Sequence, residues 1–131
     1  MKNYILFALI VLIDQLTKFF AINMNFGVIN KTASLGFMQL SNSVIAVISI
    51  VVLVCLIIVF GKISIKFNVL FLLIITGGAS NMIDRVLRGG VVDFIKIWKF
   101  PVFNFADLLI CFAIFLLVVK VVKTNDKKIF S

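Results

Sequence analysis

Two carboxylates sharing a poorly solvated site cannot both ionise, so one keeps a proton while its neighbour stays charged. Such a pair supplies a general base and a general acid at one pH, which is what peptide hydrolysis by an activated water requires. The acids of this 131-residue chain are five aspartates: Asp14, Asp84, Asp93, Asp107 and Asp126. Asp93 stands alone in the apolar stretch Val91-Val92-Asp93-Phe94-Ile95, where it has no local structural task. Asp107 closes Phe103-Asn104-Phe105-Ala106-Asp107, and helix capping with Asn104 as N-cap would account for it without any chemistry. A short connection makes Asp93 and Asp107 neighbours. Asp84 could replace Asp93 on geometry alone, and spacing does not choose between them.

Other polar residues recur at helical spacing. Asp14 and Lys18 are four apart, so they share a face and can pair; a self-neutralising pair that only packs the first helix explains them equally well. In Gly77-Gly78-Ala79-Ser80-Asn81-Met82-Ile83-Asp84-Arg85, positions 77, 81 and 84/85 fall on one face. The small residues admit a close helix neighbour, towards which Asn81 and Arg85 point. Taken alone, this segment reads as helix packing plus an interfacial Asp84–Arg85 ion pair. The chain has no histidine, which excludes Ser–His and Cys–His catalysis and a His-ligated zinc site. Cys55 and Cys111 lie in apolar runs and read as small buried hydrophobes.

The elements that must position these groups follow from composition. Hydrophobic residues make up 63% of the chain and charged ones 14%, with a mean hydropathy of +1.27. That balance excludes a soluble globular domain, a disordered tail and a disulfide scaffold. It points to an all-α integral membrane protein, a single domain over 1–131. Apolar runs at roughly 4–22, 43–60, 67–83 and 105–122 each approach the ~20 residues that span a bilayer as a helix. The first run reads as a retained helix and not a cleaved signal peptide, because Asp14 and Lys18 interrupt it and no small-x-small site follows.

The formal charge of +8 comes from 13 Lys+Arg against five acids. The lysines sit between apolar runs and in the tail, a placement that suits anionic headgroups and topology signals better than nucleic acid. Lys62 and Lys66, in the Phe60–Phe67 connection, and Lys120, Lys123, Lys127 and Lys128 put both termini on the cytoplasmic side. Asn23–Asn42 and Asp84–Asn104 then lie together on the outer face. There Arg85, Arg88, Lys96 and Lys99 call for phospholipid or a carboxylate partner. The Trp and Lys residues of Ile95-Lys96-Ile97-Trp98-Lys99-Phe100 suit the membrane–water interface.

Five segments, in order, resemble the bacterial lipoprotein signal peptidases (signal peptidase II). They are Asp14-Gln15-Leu16-Thr17-Lys18, Asn30 with Ala33-Ser34, Gly77 through Arg85, Gly89-Gly90-Val91-Val92-Asp93-Phe94 and Phe103-Asn104-Phe105-Ala106-Asp107. The resemblance implies a four-helix inner-membrane aspartyl endopeptidase with both termini cytoplasmic, cutting diacylglyceryl-modified prolipoproteins just before the lipidated cysteine. It implies that Asp93 and Asp107 are the catalytic dyad, and that Asp14, Lys18, Asn30, Gly77, Asn81, Arg85 and Asn104 support the dyad or contact substrate. It further implies a small extracytoplasmic β-cradle within Asn23–Asn42 and an interfacial segment at Ile95–Phe100. Where the family usually has Asn-x-Gly-Ala followed by a small and an aromatic residue, this chain has Asn30-Lys31-Thr32-Ala33-Ser34-Leu35. The family's Gly-Asn is Ser80-Asn81 here. The expected enzyme needs no cofactor or metal and acts as a monomer, with prolipoprotein and membrane phospholipid as partners and no nucleic acid. The alternative is a small four-helix proton- or cation-coupled transporter using Asp14 or Asp107. That reading predicts acids near the midplane, whereas apart from Asp14 and the tail's Asp126 they cluster towards one face.

Overall fold

Long unbroken runs of Leu, Ile, Val and Phe can satisfy their backbone in lipid only as helices, and helices dominate the chain. A computed structural model describes residues 2–31, 40–60 and 68–123. Its elements are α1 (Lys2–Asn23), β1 (Val28–Asn30), α2 (Asn42–Phe60), α3 (Asn68–Arg88), β2 (Val91–Asp93) and α4 (Phe105–Lys123). Three of the helices, α1, α3 and α4, are long and apolar enough to cross a membrane, and α2 is a shorter apolar helix over Asn42–Ile58. The Lys62/Lys66 connection, the Thr32–Leu35 stretch and the tail carrying Asp126, Lys127 and Lys128 lie outside the described residues.

Helix α3 is the hub, packing against α1, α2 and α4. It is also the least apolar and most buried of the three long helices, because its polar groups are enclosed by the others instead of facing lipid. Leu70 and Ile74 of α3 form a core with Ala113 of α4. The neighbours approach closely at two glycines. A Cβ on Gly77 would lie 2.7 Å from Ile110 Cγ1 and 2.9 Å from the Ala106 carbonyl oxygen of α4, and one on Gly78 would lie 2.7 Å from Leu53 Cδ2 of α2. The outward faces of α1, α2 and α4 carry exposed Leu, Ile, Val and Phe, the surface expected of a lipid-facing bundle. Cys55 and Cys111 belong to that exposed surface and not to the interior, correcting the sequence expectation; an apolar run does not say which of its faces is buried.

The third helix also runs further than the expected 67–83. Arg88 pairs with Asp84 one turn back and, with Arg85, favours the negative end of the helix dipole, so the polar residues continue the helix to Arg88. Gly89, at φ +72°, then provides the left-handed residue that ends it.

Strands β1 and β2 pair antiparallel, with Val28 opposite Asp93, Ile29 opposite Val92 and Asn30 opposite Val91. Because alternate residues share a face, this register puts Asn30 and Asp93 on the same side of the ribbon. Beyond β2 the chain loops out and returns. An Ile95↔Phe103 bridge closes the loop, with Ile95 N–H donating to the Phe103 carbonyl at 2.8 Å and Phe103 N–H donating back at 3.1 Å. That closure delivers Asn104 and the start of α4 beside Asp93. The loop tip carries Trp98, 82% exposed, with Lys99 Nζ 5.2 Å from the ring centroid.

Candidate active site

The site rests on a buried ionic cluster at the meeting of α1 and α3. Lys18 is fully buried and spends its three ammonium protons on Asp14 (2.6 Å), Asp84 (2.9 Å) and the Asn81 side-chain oxygen (2.9 Å). Asp84 is also paired with Arg88 and accepts the Val92 N–H at 3.1 Å. Asp14 accepts the Ser80 hydroxyl proton at 2.6 Å and the Ala106 N–H at 2.8 Å, tying α1 to α3 and to the first turn of α4. Gln15 Nε2 donates to Ser80 Oγ at 3.0 Å and to Asp84 at 3.1 Å, while its oxygen accepts from Arg88 at 2.9 Å. Two cations thus face two anions, and the polar groups of Lys18, Asp14 and Asp84 are engaged besides, the condition under which buried charge is tolerated.

Above this base, two asparagines are locked in orientation. An ammonium can only donate, so Lys18 fixes which end of the Asn81 amide is oxygen, and Asn81 Nδ2 donates to Asp107 Oδ1 at 2.9 Å. Asn104 accepts the Asp107 N–H at 3.0 Å on its side-chain oxygen, and its own N–H donates to Asp107 Oδ2 at 3.1 Å, a reciprocal cap of α4. The Asn104 amide nitrogen donates to Asp93 Oδ1 at 2.9 Å and to Asn81 at 3.1 Å. Asn30 Nδ2 completes the set, donating to Asp93 Oδ2 at 3.0 Å. Capping and the bridge between the two acids are therefore one structure, not rival explanations of Asp107.

Asp93 and Asp107 both border a cavity of about 600 Å³, within the usual size range for a ligand site. Its polar end holds Asn30, Asn81, Arg85 and the two acids. The rest runs past Val52, Leu56, Ile110, Ile114 and Leu117, an apolar corridor between α2 and α4.

Asp93, at the end of β2, is 4% exposed. Burial pushes its carboxyl above the ordinary carboxylate range, while the amide protons of Asn30 and Asn104 act in the opposite direction; the charge of Asp107 raises it further and that of Lys18 lowers it. In the window between the ordinary and the raised value the folded chain keeps a proton that the unfolded chain has released. The contribution of Asp93 to stability is therefore present at low pH and lost as pH rises through the raised value. Thermal unfolding in detergent across that window should show Asp93→Asn gaining on the wild type as pH increases.

Of the residues expected from sequence, Asn30, Asn81, Asn104, Asp93 and Asp107 meet in one network, and Asp14 and Lys18 lie directly beneath it. Gly77 has a different place: it is the close approach of α3 to α4 and does not line the cavity. The expected Asp84–Arg85 pair does not form. Asp84 turns to Lys18 and Arg88, whereas Arg85 donates to Asn42 Oδ1 at 3.1 Å and borders the cavity. Adjacent residues on a helix point about 100° apart, so one face cannot serve both.

Gln15 and Asn42 were missed as individual residues, whereas Arg88, expected to need phospholipid or a carboxylate partner, finds the carboxylate in Asp84. Gln15 stood inside an apolar run and met the same criterion as Asp14. Arg88 was four residues from Asp84, the pairing distance on a helix. Asn42 carried no signal beyond that of a helix start. Ser80, where the family usually has glycine, is explained by its hydroxyl, which links Gln15 to Asp14.

Residues 6–123 match the model of a family described as signal peptidase (SPase) II. The lipoprotein signal peptidase of Caldicellulosiruptor bescii is 30% identical over 133 residues, covering 90% of this chain and 89% of that protein. The lipoprotein signal peptidase of Pseudoalteromonas atlantica is 45% identical over 62 residues, 44% of this chain. That match spans about two-fifths (38%) of the relative's length, as does the 40% covered in the relative from Actinobacillus succinogenes. Among solved structures, a bacterial membrane enzyme superimposes with a TM-score of 0.83 at 27% identity, over 96% of this chain and 92% of that one.

Proposed function

This chain belongs to the signal peptidase II family, and from that membership we propose that it is an aspartyl endopeptidase removing signal peptides from diacylglyceryl-modified prolipoproteins, cutting before the lipidated cysteine. The observation that carries the reading is the placement of Asp93 and Asp107 on one cavity, bridged by Asn104. A water between the carboxylates is the nucleophile. The ionised aspartate takes its proton as it attacks the scissile carbonyl, and the protonated aspartate serves as the acid, with a proton passing finally to the departing amine. Burial favours the protonated form of Asp93, which supports a part for it as the initial acid. No covalent intermediate forms, and no cofactor or metal takes part.

The apolar corridor between α2 and α4 suits the lipid chains of such a substrate, at ~0.8 kcal/mol for each methylene taken out of water. The β1/β2 ribbon serves as the cradle for the extended peptide. The exposed Trp98 and Lys99 favour a position at the headgroup level for the loop after β2. With four spans and both termini cytoplasmic, the site faces the extracytoplasmic side. The chain acts as a monomer in this reading. A transporter would need Asp14 free to exchange its ion, yet Asp14 is held by Lys18, Ser80 and the Ala106 N–H.

The test is incubation of the purified protein with a diacylglyceryl-modified prolipoprotein. Release of the signal peptide is expected, and none from the same precursor lacking the lipid. Failure to cleave the lipidated precursor overturns the reading.

A further inference from the structure

Two arginines near the end of α3 are treated in opposite ways. Arg88 is neutralised by Asp84. Arg85, three residues earlier and half-buried, has no carboxylate within ion-pair distance among the described residues. Its partner is Asn42, at the first turn of α2, through two reciprocal bonds: Arg85 Nη1 donates to Asn42 Oδ1 at 3.1 Å, and Asn42 Nδ2 donates to the Arg85 carbonyl at 3.2 Å. One side chain thus holds both the head and the backbone of Arg85 from a different helix. Both Asp93 and Asp107 border the same cavity as Arg85.

A carboxylate at position 42 would hold the guanidinium at least as firmly, since a charge-assisted bond is the stronger one. It would also cancel the charge locally. An amide fixes the group without adding an opposite charge of its own, so the cation stays available to what enters the cavity. We propose that Asn42 is a positioning residue for Arg85, a neutral clamp that aims a cation free of a paired carboxylate at the substrate's peptide oxygens as charge develops on them. This rests on the peptidase reading above.

Asn42→Asp separates holding from neutrality. It keeps a charged acceptor for Nη1 and places a negative charge in the first turn of α2, which favours the helix dipole, but gives up the Nδ2 donor to the Arg85 carbonyl, so the protein should still fold in detergent with a melting temperature that reflects both effects. Cleavage should nevertheless fall about tenfold or more, in kcat and not in KM, as expected when a preorganised charge is cancelled. Asn42→Ala should also lose activity, by releasing the guanidinium. In an Arg85→Gln background, Asn42→Asp should cause no further loss.

Full activity in Asn42→Asp would make Asn42 a structural tether only and overturn the proposal. So would an equal loss in the Arg85→Gln background, which would show an effect not routed through Arg85. Wild-type protein that cleaves no lipidated precursor removes the peptidase reading, a result distinct from any pattern among variants of an active enzyme.

Discussion

Asp93→Asn and Asp107→Asn should each reduce cleavage of a lipidated precursor by several orders of magnitude, and the double variant should be scarcely worse than either alone. Asparagine keeps the shape and one of the two acceptor oxygens but cannot exchange the proton that activates water. Groups that act as one unit lose their function together, so their effects do not add. Each acid accepts a donor on both oxygens, so each variant turns one NH2 towards a donor and loses one bond, a cost small enough that both variants should still accumulate and fold. Asp84→Asn is the informative control. Its carboxylate is committed to Lys18, Arg88 and the Val92 N–H, so its loss should lower thermal stability more than rate per folded molecule. The measurement is initial cleavage rate normalised to folded protein. If Asp84→Asn is inactive while Asp93→Asn cleaves normally, the partner of Asp107 is Asp84. If both dyad variants cleave normally, the two-carboxylate mechanism is wrong.

Lys18→Met should destabilise the protein by about 3–5 kcal/mol, the usual penalty for removing one member of a buried ion pair. Methionine fills similar volume, so the loss is electrostatic: Asp14 and Asp84 would remain fully buried, Asp84 paired with Arg88 and Asp14 without its cation. Adding Asp14→Asn to Lys18→Met should recover part of that loss, because one uncompensated charge is then removed. Activity should fall with the first substitution by more than stability alone accounts for, since Asn81 loses the donor that orients its amide towards Asp107. Thermal unfolding in detergent, beside cleavage per folded molecule, reads both effects. A Lys18→Met protein that melts at the wild-type temperature would show that the cluster is solvated in the membrane-embedded protein.

Gly90 shows how far the site depends on the backbone around it. A Cβ there would sit 2.7 Å from the Asn30 carbonyl oxygen, so only glycine lets β1 lie against the turn that leads into β2. The Gly-Gly pair could be read from the sequence as a turn before Val91. That the turn presses on Asn30, and so helps set the Asn30–Asp93 bond, could not.

Composition, and the placement of polar residues within apolar runs, determined much by themselves. An excess of apolar side chains has no place to go but lipid or a core, so the helices follow from local sequence, to within the five residues by which α3 outruns its apolar run. The same logic singled out Asp14, Lys18, Asn81 and Asp93, because a polar group at membrane depth costs too much to be incidental. Tertiary structure alone decided partnership. Asp84 and Asp93 were interchangeable by spacing. What separates them is that α1 brings Lys18 against one, while the Ile95–Phe103 closure brings Asn104 against the other. Arg85 looked like the partner of Asp84 and proved to be held by Asn42, a residue 43 positions away on another helix. Burial is a local demand that sequence can express. The choice of which distant donor meets a given carboxylate is set by how whole helices cross, and no window of sequence contains it.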